Sequence, residues 1–171
     1  MVLAAGAATR FGAAKQNLLL DDVLTRVTAS PLDEVLVVEG AYPLVLRGSE
    51  PQGIRVVSCP EWQRGPGASL RCGLAALDDD VEAAVVVLAD GPDLAPATIT
   101  RVIESWREEG GDVVAASYAG QRGHPLVLAR AAWGSVPDEG ARALSPRLVP
   151  CDDLGSPGDV DRPADLPERF R

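Results

Sequence analysis

The chain has 171 residues, is 46% hydrophobic but only 4% aromatic, and carries a formal charge of −9. That length suits a single domain over residues 1–171, and the scarcity of aromatics implies a core of Val, Leu and Ala, as in parallel-sheet α/β proteins. The charge argues against nucleic acid or an anionic membrane as partner, so an anionic ligand would need local basic residues or a divalent cation.

Residues 2–5 (VLAA) read as a short buried strand that opens at Gly6 into a loop of small residues carrying Arg10, Gly12 and Lys15. A helix follows over 18–29, with Leu20, Val23, Leu24 and Val27 at helical spacing and Pro31 to end it. Buried strands are predicted over 34–39 (EVLVVE) and 54–58 (IRVVS), then a Gly65-Pro66-Gly67 loop and a helix over 68–77. The most hydrophobic strand, 83–89 (AAVVVLA), is expected at the sheet centre. Pro96 starts a helix that Gly110-Gly111 closes after Glu109. Strands over 112–118 and 125–128 are close enough to form a small hairpin insertion. A short helix over 139–144, a strand over 148–151 and a terminal helix after Pro163 complete the chain. Alternating strands and helices imply a doubly wound, mostly parallel α/β sheet. Ligands of such sheets sit beyond the carboxyl ends of the strands, which places 6–15, 59–69 and 90–93 on one rim. With no signal-peptide pattern and no apolar run approaching ~18 residues, a cytoplasmic protein is expected. Cys59, Cys72 and Cys151 are odd in number and lack a CxxC pair; buried thiols are expected rather than a disulfide or a zinc site.

The strand and loop at 1–15 suggest a polyphosphate cradle, because small residues let backbone amides approach an anion while Arg10 and Lys15 add charge. Neither the P-loop spacing GxxxxGK[ST] nor the dinucleotide pattern GxGxxG fits, since Ala8 stands where the second needs Gly. The alternative is an ordinary strand-to-helix turn with Arg10 and Lys15 solvated. Elsewhere Asp90, closing the central strand in LADGPD, is placed to hold Mg²⁺ or simply to turn the chain before Gly-Pro. Taken alone, Ser69 reads as a helix cap and Arg71 as an exposed charge.

The segment LAAGAATRFGAAK is similar to the opening signature LAxGxxxRxGxxK of the MobA-like nucleotidyltransferases, matching at Leu3, Ala4, Gly6, Arg10, Gly12 and Lys15. The resemblance implies a Rossmann-like nucleotidyltransferase fold. It also implies a loop wrapping a nucleoside triphosphate through Leu3, Ala4, Ala5, Gly6, Ala7, Arg10 and Lys15. LADGP resembles the family's L(G/A)DxP, whose Asp is a magnesium ligand, which assigns Asp90 as catalytic together with Arg10 and Lys15. GDVDRPADL resembles the near-terminal DIDTPEDL and implies a second metal contact at Asp159. Asp161 ranks lower, on the expectation that the two side chains of an extended segment face opposite ways. GPGASLRCGL resembles the GxxxSLRxGL of the molybdenum-cofactor cytidylyltransferase branch and implies Gly67 and Ser69 beside the nucleotide. QRGHPLVL resembles that branch's GxRGHPVLF and implies Arg122 and His124 on the acceptor side. Ala5, where guanylyl-transferring relatives commonly have Gly, points the same way.

The resemblance therefore implies a Mg²⁺-dependent transferase. It would move CMP from CTP to a phosphate acceptor of the molybdopterin-type molybdenum cofactor and release pyrophosphate, with a molybdenum enzyme as a further partner. One alternative is a non-catalytic accessory protein that carries the cofactor to such an enzyme. Another is a serine hydrolase, because Ser69, Asp90 and His124 follow the Ser…Asp…His order; however, Arg71 stands where the nucleophile elbow needs Gly.

Overall fold

A computed structural model describes residues 1–46 and 53–171. Its strands are β1 (Val2–Leu3), β2 (Val35–Glu39), β3 (Ile54–Ser58), β4 (Ala83–Leu88), β5 (Val113–Tyr118), β6 (Gln121–Ala129) and β7 (Arg147–Pro150). They form one seven-stranded sheet in the order β3-β2-β1-β4-β6-β5-β7. β6 alone runs opposite, antiparallel to both β4 and β5, and all other neighbours are parallel. β4 is the middle strand, as its hydrophobicity predicts. The expected hairpin joins β5 to β6 across Ala119-Gly120 and is built into the sheet, with β6 lying between β4 and β5.

Strand alternation decides which helix covers which face. Val35, Val37, Val85 and Val87 pack on one side with the buried faces of α1 (Gln16–Thr28) and α3 (Pro96–Glu109). Their neighbours Leu36, Val38, Ala84 and Val86 point the other way onto Leu70 and Leu74 of α2 (Pro66–Ala75). Side chains two apart share a face, so one run of Val, Leu and Ala serves two cores. This is the doubly wound α/β architecture. α3 has the predicted bounds, with Pro96 in its first turn and Gly110, at φ 70°, closing it.

Four expectations change. β3, expected to be buried, is a largely exposed edge strand, with Val56 40% exposed. The short helix expected over 139–144 is a single 3₁₀ turn, Ala141–Ala143. The terminal segment forms only 3₁₀ turns, Pro163–Asp165 and Glu168–Phe170, because no apolar stripe there pays for a longer helix. Cys59 and Cys72 are not separate thiols. The end of β3 faces α2, bringing their Cα atoms to 5.7 Å, and a disulfide joins them. Cys151 is a free, buried thiol, as predicted. Among the described residues no helix is long and apolar enough to cross a membrane.

Candidate functional site

The loop between β1 and α1 is held at both ends and left open in the middle. Ala4 N–H donates to the Val38 carbonyl at 2.9 Å, and the Ala5 carbonyl accepts from Ala41 N–H at 3.0 Å. Gly40 has no room for a side chain there, since a Cβ would stand 2.7 Å from the Ala5 oxygen and from Trp62 Cβ. Phe11 and Gly12 both donate to the Ala8 carbonyl at 3.0 Å, turning the chain through Ala8 at φ 48° and Gly12 at φ 80°. The amides of residues 6–10 donate to nothing among the described residues. Unpaired N–H groups in a tight turn form an anion-binding concavity. A non-glycine residue in the left-handed region is the kind of local strain found at ligand loops.

Lys15 closes this loop, and its side chain is only 9% exposed. Its ammonium donates to Asp90 Oδ2 at 3.0 Å and to the Val160 carbonyl, and lies 3.7 Å from Asp161 Oδ1. Arg10 pairs with Asp161 while remaining 68% exposed. Gln16, at the start of α1, is buried; its amide nitrogen donates to the Gly6 carbonyl and its Oε1 has no partner among the described residues.

The carboxylates reach this point from the middle of the chain and from its last fifteen residues. β4 delivers Asp90 past its carboxyl end. The near-terminal segment is hydrogen-bonded alongside, Val160 N–H to the Asp90 carbonyl at 3.1 Å and Asp93 N–H to the Pro157 carbonyl at 2.9 Å. Val160 is buried, with Asp159 and Asp161 flanking it. Burial, then the negative charges of Asp90 and Asp161, push the Asp159 carboxyl above its ordinary range, with Lys15 and Arg10 opposing.

Two cavities meet here. One, of ≈ 390 Å³, is lined by Leu3, Ala4, Ala5, Gly6, Arg10 and Lys15, with Trp62, Ser69 and Asp161 among its other walls. The second, of ≈ 420 Å³, is lined by Tyr118, Arg122, His124 and Asp159. Leu88 and Asp90 belong to both. The strand-end rule thus collects all three predicted rim segments. A larger cavity, of ≈ 820 Å³, lies at the amino ends of β2 and β4 and holds none of the motif residues.

In the second cavity Arg122 donates to the carbonyls of Ala141 at 2.6 Å, Leu144 at 2.8 Å and Arg142 at 3.3 Å. No carboxylate among the described residues pairs with it, and burial holds its pKa below the usual guanidinium range. Burial likewise lowers the His124 pKa. His124 Nδ1 lies 3.5 Å from the Val86 carbonyl. Tyr118 donates its hydroxyl to the His124 carbonyl at 2.7 Å, and burial raises the Tyr118 pKa to about 12.

Several motif residues take other positions. Gly67 and Ala7 do not line the first cavity. A Cβ on Gly67 would stand 1.8 Å from the Pro137 carbonyl oxygen, and its N–H donates to Asp138 at 3.0 Å, so the glycine permits a close backbone crossing. Ser69 lies inside α2, whose first residue is Pro66, and is a cavity wall rather than a cap. Arg71 donates to the Val136 carbonyl at 2.8 Å and pairs with Asp138, with its side chain 34% exposed. Ser69 and His124 line different cavities, and no hydrogen bond joins either to Asp90 among the described residues, so no hydrolase triad forms. Gln16, Trp62 and Asp161 enter the site from outside the primary assignment. The adjacency of Gln16 to Lys15, and the acidic pair around Val160, are the signals that point to them.

No group of three or more His, Cys, Asp or Glu gathers to hold a metal among the described residues. Mg²⁺ is ordinarily held by one or two carboxylates, with retained waters and substrate phosphates completing its shell. The fit is further supported by the cation already seated between Asp90 and Asp161, the Lys15 ammonium.

Residues 1–147 match the model of the MobA-like NTP transferase domain. A homologue of Mycobacterium tuberculosis Rv0371c, from Mycobacterium sp. strain JC1, is 26% identical, with 96% of this chain and 90% of that chain covered and a TM-score of 0.78. Rv0371c from M. tuberculosis H37Rv, solved as a complex with manganese, is 25% identical, with 96% and 92% covered and a TM-score of 0.71. The molybdopterin-guanine dinucleotide biosynthesis protein A of Archaeoglobus fulgidus shares the fold at 16% identity, with 99% and 94% covered and a TM-score of 0.67. No curated protein matches the chain.

Proposed function

Because the chain belongs to the MobA-like NTP transferase family and is a nucleotidyltransferase, we propose that it transfers CMP from CTP to a phosphate of a molybdopterin-type acceptor. The observation that carries this reading is that two cavities of similar size share Asp90, one backed by amides and the other by an arginine that have, respectively, no acceptor and no carboxylate partner among the described residues.

In this reading the triphosphate lies on the amides of residues 6–10 with Arg10 and Lys15 on its charge, Ser69 and Trp62 enclose the nucleoside, and the acceptor phosphate lies near Arg122 and His124. An acceptor oxygen attacks the α-phosphorus, and the bond to the bridging oxygen breaks as pyrophosphate leaves on the opposite side. The nucleophile is already an anion, so no side chain needs to remove a proton, and positioning with electrostatic stabilisation supplies the rate. Neutral His124 then acts as a hydrogen-bonding wall. Asp90 and Asp161 are the residues suited to hold Mg²⁺, with Asp159 beside them. When bound, the ion draws charge from the phosphate oxygens. The manganese complex of Rv0371c supports a divalent cation, and the Ala5 form of the loop supports CTP over GTP. A cytoplasmic setting, with a molybdenum enzyme receiving the product, belongs to the same proposal.

The test is pyrophosphate release by purified protein with Mg²⁺, CTP or GTP, and a molybdopterin-type acceptor. CTP turnover should exceed GTP turnover, and Asp90→Asn should lower it on the order of 10²-fold or more. Absence of nucleotide binding by calorimetry, together with no pyrophosphate from any acceptor, would refute it.

A further inference from the structure

We propose that Lys15 is the resident counter-ion of the carboxylate rim and changes partners on loading. It passes from Asp90 and Asp161 to phosphate as those carboxylates turn to a divalent cation. This rests on the nucleotidyl-transfer reading and concerns how the charges of that site are satisfied before substrate arrives.

An ammonium has three protons to give. Here Asp90 takes one at 3.0 Å, the Val160 carbonyl another, and Asp161 stands 3.7 Å away on the third side. With the side chain 9% exposed, the ammonium is held chiefly by these partners rather than by solvent. Arg10 is committed to Asp161 as well, but at 68% exposure its release is easily compensated by water. Two carboxylates thus face two cations.

A triphosphate arriving alone meets a lysine already engaged. A divalent ion arriving alone meets carboxylates capped by an ammonium. Either entry leaves a partly buried charge without its partner, whereas joint entry satisfies all of them, so each ligand favours the other through Lys15. Chelation of the metal by the nucleotide couples the two in any such site. The distinctive consequence is that Lys15 opposes the metal when no nucleotide is present.

Mn²⁺ binding measured by electron paramagnetic resonance, without nucleotide, tests this on the folded wild-type chain, Lys15→Met and Arg10→Met. Lys15→Met should bind Mn²⁺ roughly tenfold or more tightly than wild type. Arg10→Met, which removes an equal but solvated charge, should change it less than about threefold. Unchanged Mn²⁺ affinity in Lys15→Met, or an equal gain in Arg10→Met, overturns the exchange.

Lysine-selective ¹⁵N NMR on wild type provides a second reading that needs no variant. The Lys15 ammonium should couple to the Asp90 carboxylate in the free protein, and to ³¹P with Mg²⁺ and α,β-methylene-CTP. A ternary complex with Lys15 still on Asp90 defeats the exchange alone. Failure of the Mg²⁺–nucleotide to bind at all defeats the nucleotidyl-transfer reading with it.

Discussion

Replacing Gly67 by Ala tests whether the glycine of the GPGASLR segment serves packing or ligand contact. A Cβ there would stand 1.8 Å from the Pro137 carbonyl oxygen and 2.8 and 2.9 Å from the carbonyl carbons of Pro137 and Asp138. These are backbone atoms, and the segment cannot retreat freely. Arg71 holds the Val136 carbonyl at 2.8 Å and pairs with Asp138, and a Cβ on Gly140 would already lie 3.2 Å from Gly67 N. Overpacking of this kind costs ~3 kcal/mol at the upper end of its usual range. Alanine's better helix propensity returns up to ~1 kcal/mol. The balance is a loss of about 2 kcal/mol, or roughly 4–8 °C of melting temperature for a domain of this size. Thermal denaturation followed by circular dichroism measures it, with a nucleotide titration of the folded variant beside it. Nucleotide affinity should fall modestly, because Gly65, Pro66 and Ser69 of the same turn line the first cavity. An unchanged or raised melting temperature with nucleotide binding abolished would refute the packing role and make Gly67 a ligand contact.

The carboxylates flanking Val160 should separate by ligand: Asp161→Asn should weaken Mg²⁺–CTP binding on the order of tenfold, and Asp159→Asn should chiefly raise the KM for the acceptor, as steady-state kinetics would resolve. Burial depresses the His124 pKa, so from pH 6.5 downward the unfolded chain takes up a proton that the folded chain refuses. Stability is therefore full above pH 6.5 and declines as pH falls toward the folded value, and urea denaturation of His124→Gln should show that slope removed. Reducing Cys59–Cys72, which closes a loop of separation 13, should cost about 3 kcal/mol at 25 °C by chain entropy and loosen the wall formed by Trp62, Gly65, Pro66 and Ser69. Denaturant midpoints with and without dithiothreitol would show it, and coincident curves would contradict it.

Local signals fixed most of the framework. α3 has the bounds read from Pro96 and Gly110 because both ends are set by backbone chemistry rather than by distant contacts. α2 starts two residues before the apolar pattern does, at Pro66, since a proline fits the first helical position and leaves no trace in a hydrophobic period. The tail fails as a helix for the opposite reason: Pro163 signals a start, but nothing apolar recurs behind it. What the chain does not spell out is which segments cross. The disulfide depends on the end of β3 lying against α2, and Arg71 depends on residues 136–138 lying against the same helix.

The acidic pair shows where local reading fails at the site itself. Asp159 and Asp161 flank the buried Val160, and what separates them is what each meets. Asp161 meets Lys15 and Arg10, brought from the first loop, and lines the first cavity. Asp159 lines the second and carries a raised pKa through burial and the nearby charges of Asp90 and Asp161. A cation in one cavity and an acceptor in the other therefore make different demands on two residues of the same type. Mutating both together would hide that difference, which makes the single substitutions the sharper comparison.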